Sequence, residues 1–276
     1  MSSAYLLISH GSRDPRPEVA MQQLAKLVCN KLPKNYNPSN SEHLVGIAAL
    51  EMSFQPLHEQ IQQFAKSAFG DSGGGLHLRK LSQNENRLKI VPLFLLPGVH
   101  VMTDIPAEVA LAQQAVGQDM MIELQPYLGS HPKLEKLLAK QIATIKAEVW
   151  ILLAHGSRRP LSQEPVEAMA ASLGAVAAYW AGPPNLESRV IELVAAGCKE
   201  IAILPYFLFA GGITDAIAAS VEGLKLQFSA VNFQLAQPLG ASAELAELIC
   251  DLTDRGFINA LRETIQNLSP SKPRPS

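Results

Sequence analysis

The sequence predicts an α/β protein of two tandem homologous domains, each a mostly parallel sheet flanked by helices. Three observations lead there. Short apolar runs alternate with longer amphipathic ones throughout the 276 residues, and strands that are apolar along their whole length and separated by helices belong to parallel sheets covered on both faces. The order β-α-β-α-β-α-β-α is completed twice. The apolar run that opens each half ends in the same turn, LLISHGSRDP at 6–15 and ILLAHGSRRP at 151–160.

The elements follow in order. YLLIS (5–9) reads as a buried strand, and 17–32 as a helix with Val19, Leu24, Leu27 and Val28 at helical spacing and Pro17 in its first turn. VGIAALEM (45–52) is a strand, Pro56 to Phe69 a helix, LKIVPLFLL (88–96) a strand and Ile105 to Val116 a helix. MIELQPY (121–127) and a helix over 131–145 close the first half. The second half reads VWILLAH (149–155), a helix near 162–173, GAVAAYW (174–180), a helix near 185–197, EIAILPYFLF (200–209), a helix near 213–225, FQLAQPL (233–239) and a helix from Ser242 to Ile265.

The repeat can be followed by position. His10 pairs with His155, AAL at 48–50 with AAY at 177–179, Pro92 with Pro205, and Leu128-Gly129 with Leu239-Gly240. The offset shrinks along the chain because the first half carries extra loop, at 33–43 and in the polar, glycine-rich insertion 71–87. The expected domains are therefore 1–146, carrying the site, 147–268, a degenerate repeat, and a disordered Pro/Ser-rich tail at 269–276.

Composition sets bounds. A net charge of −2 gives no reason to expect nucleic acid. The N-terminus reads neither as a signal peptide nor as a transit peptide, and no apolar stretch is long enough to span a bilayer, so a cytoplasmic, non-membrane protein is expected. Cys29, Cys198 and Cys250 are isolated and form neither a disulfide framework nor a zinc knuckle. Ser12 has no base and oxyanion arrangement around it, which sets serine hydrolysis aside.

Ligands of open parallel sheets bind beyond the carboxyl ends of the strands. In the first half those ends carry His10, Glu51 and His100, an imidazole and carboxylate set suited to a divalent first-row metal or to proton transfer. The second half keeps His155 but sets Trp180 against Glu51 and Ile213 against His100. The turn was copied and the constellation was not, so one working site is expected, in the first half. His131 reads as a helix-start residue, and His43, His58 and His77 receive no role.

HGSRDP after the first strand, ALE at the second strand end, VPLFLLPGVHVMTDIP and QPYLGSHPKL together resemble the sirohydrochlorin chelatases of the CbiX/SirB type. The second half is similar more loosely, through LLAHGSRRP, LPYFLFAGGITD and PLGASAEL. The resemblance implies a long, two-domain form that inserts Co2+ or Fe2+ into sirohydrochlorin without ATP, for cobalamin or siroheme, with the metal as substrate and no tightly bound cofactor. It implies His10 and His100 as metal-handling and proton-accepting residues with Glu51 beside them, and a monomer whose halves form a pseudo-dimer. Ser12, Arg13, Arg16, Val99, Arg158 and Arg159 are the expected substrate contacts, the arginines for the pigment's carboxylates, with Leu96, Pro97, Val99 and Met102 as an apolar wall. A non-catalytic metal carrier or a tetrapyrrole-binding protein is the alternative.

Overall fold

The computed structural model describes residues 3–32, 45–70, 86–117, 120–156, 163–254 and 256–259. Arg158, Arg159, the loop 33–43, nearly all of the insertion 71–87 and the tail lie outside the described residues.

The first half forms a four-stranded parallel sheet from β1 (Ser3–Ser9), β2 (Val45–Ala49), β3 (Asn86–Pro92) and β4 (Met120–Leu124), in the spatial order β2-β1-β3-β4. The second repeats it with β5 (Val149–Ala154), β6 (Val176–Tyr179), β7 (Glu200–Pro205) and β8 (Asn232–Leu235), in the order β6-β5-β7-β8. The helices are α1 (Pro15–Lys31), α2 (Leu57–Phe69), α3 (Ile105–Val116), α4 (Leu134–Ile142), α5 (Glu164–Ser172), α6 (Leu186–Ala195), α7 (Gly212–Gln227) and α8 (Ala243–Asp251).

Strand periodicity explains the layering. Side chains alternate faces along a strand, so Ala4, Leu6 and Ile8 of β1 pack with α2 and α3, while Leu7 faces α1 and α4. In β5 the same alternation sends Ile151 and Leu153 toward α6 and α7 and Trp150, Leu152 and Ala154 the other way. The inward faces of both sheets meet one continuous core containing α1, α4, α5 and α8. The two halves thus share a buried layer of helices.

Local chemistry sets the helix ends. Asp14 caps α1 by accepting the Arg16 N–H at 3.0 Å, followed by proline in the first turn. Its buried face is Met21, Leu24, Ala25 and Val28. Val19, expected on that face, is half exposed, because the stripe starts two residues later. The last expected helix is interrupted: α8 ends at Asp251, where Leu252 N–H returns to the Leu248 carbonyl, and the chain turns through Thr253 and Asp254. Strands β3, β4, β6, β7 and β8 stop short of the predicted apolar runs, whose last residues continue as loops at the carboxyl edge.

Polar bonds also join the halves. Tyr206 donates its hydroxyl to the Leu95 carbonyl at 3.3 Å, and Lys89 Nζ donates to the Thr253 carbonyl at 2.6 Å. The result places the carboxyl ends of β1, β2, β5 and β7 around one cleft.

Candidate metal centre

The site is assembled by backbone bonds that continue sheet pairing past the strand ends. After the Ser9–Ala49 register, Leu50 N–H bonds to the Ser9 carbonyl at 2.9 Å and Glu51 N–H to the His10 carbonyl at 2.8 Å. Gly11 makes this possible. Its φ is +99°, and a Cβ there would stand 2.0 Å from the Glu51 carbonyl oxygen, so only glycine fits.

His100 arrives differently. It opens one π-helical turn, His100–Asp104, that runs directly into α3, with Ile105 N–H bonded to the His100 carbonyl. A π turn holds more residues than an α turn and re-aims the side chains in it. The second half has the shorter segment AGGITD and enters α7 at Gly212 without such a turn. The extra length that brings His100 to the site is absent there.

The three side chains converge. Each offers a ligand atom, and these atoms all lie within 4.8 Å of one another. His10 Nε2 is 3.8 Å from Glu51 Oε2, and His100 Nε2 is 3.8 Å from Glu51 Oε1. The imidazoles meet edge to face with centroids 4.9 Å apart, and Phe94 flanks both rings. Metal–ligand bonds of about 2.0–2.2 Å put neighbouring ligand atoms roughly 3–3.5 Å apart, so this spacing is slightly open. All three side chains remain a third or more exposed.

Asp104 is the residue the sequence reading missed. Its Oδ2 is 2.8 Å from His100 Nδ1. A carboxylate accepting from Nδ1–H leaves the Nε2 lone pair facing the cluster and fixes the ring's orientation. The i,i+4 spacing of His100 and Asp104 was the available signal.

The cluster adjoins a cleft of about 800 Å³ that His10 lines, a volume suited to a sizeable organic ligand. Both halves build it: Ser12, Met52 and Phe54 from the first, His155, Phe207, Phe209 and Ile213 from the second. The apolar wall differs from expectation, since Leu96, Pro97, Val99 and Met102 are not among its lining residues. Val99 instead caps the π turn. Ser12 lines the cleft and accepts the Asp14 N–H at 3.0 Å. Arg13 is exposed and does not line it.

Arg16 is committed elsewhere. Its guanidinium contacts Asp14 and reaches across to Asp215 of α7, with Nη1 to Oδ1 at 3.0 Å and Nη2 to Oδ2 at 2.5 Å. It holds both carboxylates below their ordinary range, Asp14 at about 2. The expected substrate cation thus bridges the two halves, a contact invisible while Asp215 lay 199 positions away in sequence.

Among the described residues, the second half repeats the backbone turn at His155–Gly156 without the cluster. Gly156 has φ +87°, and Ala181 N–H bonds to the His155 carbonyl at 2.8 Å. Ala181, not Trp180, therefore stands where Glu51 stands. Trp180 matches Leu50, because its N–H bonds to the Ala154 carbonyl at 2.9 Å. The sequence register was off by one, and the carboxylate is missing in either register.

The model of the family described as CbiX matches residues 76–145 and 149–255, more than half of the chain and parts of both halves. The chain belongs to the CbiX family. Among curated relatives, the sirohydrochlorin ferrochelatase of Priestia megaterium is 26% identical over 182 residues, 61% of this chain and 67% of that protein. The sirohydrochlorin cobaltochelatase of the same organism is 22% identical over 184 residues, 61% of this chain and 60% of that one. Among solved structures, the fold resembles the sirohydrochlorin chelatase SirB from Bacillus subtilis subspecies spizizenii in complex with cobalt, with a TM-score of 0.64 and 20% identity over 97% of this chain and 98% of that one. SirB from Bacillus subtilis with Fe3+ gives 0.65 and 22%, over 97% of each chain. The CbiX match begins after His10 and Glu51, so those two rest on the geometry above. No helix among the described residues is long and apolar enough to cross a membrane.

Proposed function

We propose that this CbiX-family protein inserts a divalent metal, Co2+ or Fe2+, into sirohydrochlorin at one site in its first half. The observation that carries the reading is the open His10–Glu51–His100 cluster beside a cleft built by both halves. Metal and pigment are both substrates, and no resident cofactor is required. The domains proposed are 1–146 with the site and 147–268 as its degenerate partner, in a cytoplasmic monomer.

The chemistry follows from the donor set. Two imidazoles and one carboxylate hold a hydrated metal while leaving positions free for pyrrole nitrogens. A closed four-ligand site would retain its metal, and the spacing described above favours release. A free-base macrocycle must lose two N–H protons as the metal enters. Each N–H electron pair stays on nitrogen and becomes a bond to the metal. The proton passes to an imidazole that has given up its metal bond, or through Glu51 to water, and imidazole is suited to this near neutral pH.

The test is anaerobic loss of free-base absorption with Co2+ or Fe2+, comparing no protein, wild type, His100→Ala and His155→Ala. Acceleration by wild type that is lost in His100→Ala and kept in His155→Ala is expected. No acceleration with either metal rejects the chelatase. Pigment binding without acceleration moves the reading to a tetrapyrrole-binding protein, and tight metal retention without pigment binding to a carrier.

A further inference from the structure

We infer that Phe54 and Met52 form an apolar lip that grips the macrocycle, on the same short segment that supplies Glu51 to the metal. This deepens the chelatase reading and rests on it.

Residues 50–56 connect β2 to α2. Glu51, the carboxylate of the cluster, is followed at once by Met52 and, two residues later, by Phe54. Phe54 is fully exposed and Met52 is 59% exposed. Both line the cleft. A bare phenyl ring and a bare thioether lining the same cleft are exposed apolar surface without a partner in the described residues. Apolar residues of the second half line the same cleft: Phe207, Phe209 and Ile213, the last 40% exposed.

The segment is built, not slack. Met52 has φ +59°, the left-handed region that a non-glycine residue enters only when its surroundings impose it. Gln60 of α2 holds both ends. Its Oε1 accepts the Ala49 N–H at 3.1 Å, and its Nε2 donates to the Ala49 carbonyl at 2.8 Å and the Gln55 carbonyl at 2.9 Å. One side-chain amide therefore ties the start of the segment to its end, with Glu51, Met52 and Phe54 between. The carboxylate and the lip are in fixed register.

The occupant this surface fits is the flat, aromatic face of the pigment. A tetrapyrrole has apolar faces and a carboxylate rim, so it is held by ring and sulfur contacts on its faces. Gripping it from the segment that carries Glu51 would set the pyrrole nitrogens at a constant distance from the metal ligands.

The test titrates free-base sirohydrochlorin and, separately, Co2+ into wild type, Phe54→Ala and Met52→Ser. Because both residues are exposed, the variants should keep their unfolding midpoints, which is checked first. Pigment affinity should fall roughly 10-fold in Phe54→Ala, the scale expected for losing a buried aromatic contact, and less in Met52→Ser, with Co2+ affinity unchanged in both. Unchanged pigment affinity in both variants, where wild type binds pigment, overturns the lip while leaving the chelatase reading intact. Failure of wild type to bind pigment overturns the chelatase reading and the lip with it.

Discussion

The backbone N–H of Glu51 donates to the carbonyl of His10 at 2.8 Å, so one hydrogen bond places two of the three candidate metal ligands side by side. The second half makes the same bond between Ala181 and His155. The backbone device is thus independent of the carboxylate: it works with alanine as well as with glutamate. What distinguishes the halves is the side chain hung on it and the π turn that brings His100 to meet it.

Gly11→Ala tests that device. The new Cβ would stand 2.0 Å from the Glu51 carbonyl oxygen on a residue with φ +99°, and the bond to His10 would have to give way. The expected result is a loss of about 2 kcal/mol or more of stability, together with loss of Co2+ binding. Gly98→Ala is the control, since a Cβ there meets nothing within 4 Å. A Gly11→Ala protein with the wild-type unfolding midpoint and metal affinity would contradict the packing described.

Asp104 should act through His100. Its carboxylate, 2.8 Å from Nδ1, orients the ring and leaves Nε2 for the metal. Asp104→Ala is expected to weaken Co2+ binding about 10- to 100-fold, with Asp104→Asn falling between it and wild type because the amide oxygen can still accept from Nδ1–H. Anaerobic calorimetry reads both. Equal affinities in all three proteins would show that His100 needs no orienting partner.

The halves differ in how far the sequence could be read. Strand and helix order followed from apolar periodicity, which is strongest in the central strands β1, β3, β5 and β7, where most residues are buried. That His10, Glu51 and His100 come together was legible because a parallel sheet gathers its strand ends at one edge. The Arg16–Asp215 bridge was not, since the two residues become neighbours only when the halves pack. Asp104 was passed over because it stands just before the stripe Ile105–Val116, read as a core helix, and its i,i+4 spacing from His100 shows only once that turn is helical. Trp180 was placed one residue from its true register because a repeat aligned by composition carries no hydrogen-bond ladder. The apolar residues expected beside His100 do not line the cleft, whose apolar lining includes Met52 and Phe54 of the β2–α2 segment and Phe207, Phe209 and Ile213 of the second half.

The clamp role of Arg16 separates from a substrate role by comparing its two sides. Arg16→Gln and Asp215→Asn each break the bridge from α1 to α7. Were Arg16 a cation for pigment carboxylates, only the first would raise the KM for sirohydrochlorin, and the second would free the guanidinium and lower it. A clamp that sets the cleft predicts that both raise it by a similar factor. Exposed ion pairs contribute little to stability, so neither change should lower the unfolding midpoint by more than a few degrees.

A last prediction concerns acid. The His131 side chain is 0% exposed. Its ring stacks on Phe257 at 4.7 Å, and its Nδ1 accepts the Lys133 N–H at 3.0 Å. Nε2 is 3.5 Å from Asp251 Oδ2, an oxygen that also takes Lys133 Nζ at 2.7 Å. Burial lowers the His131 pKa, and the nearby Asp251 only partly opposes it. In the unfolded chain the imidazole takes up a proton as pH falls below about 6.5, while the folded protein holds it neutral to lower pH. The unfolded state then binds more protons, so the stability this histidine contributes is complete above that pH and is lost progressively as pH falls toward the folded pKa. His131→Phe keeps the stacking and removes the titration. Unfolding midpoints measured between about pH 7.5 and 5.5 should therefore fall more steeply for wild type than for the variant. Parallel slopes would mean that the packing of His131 against Phe257 and Asp251 yields to protonation without loss, and that Asp251 compensates His131 fully.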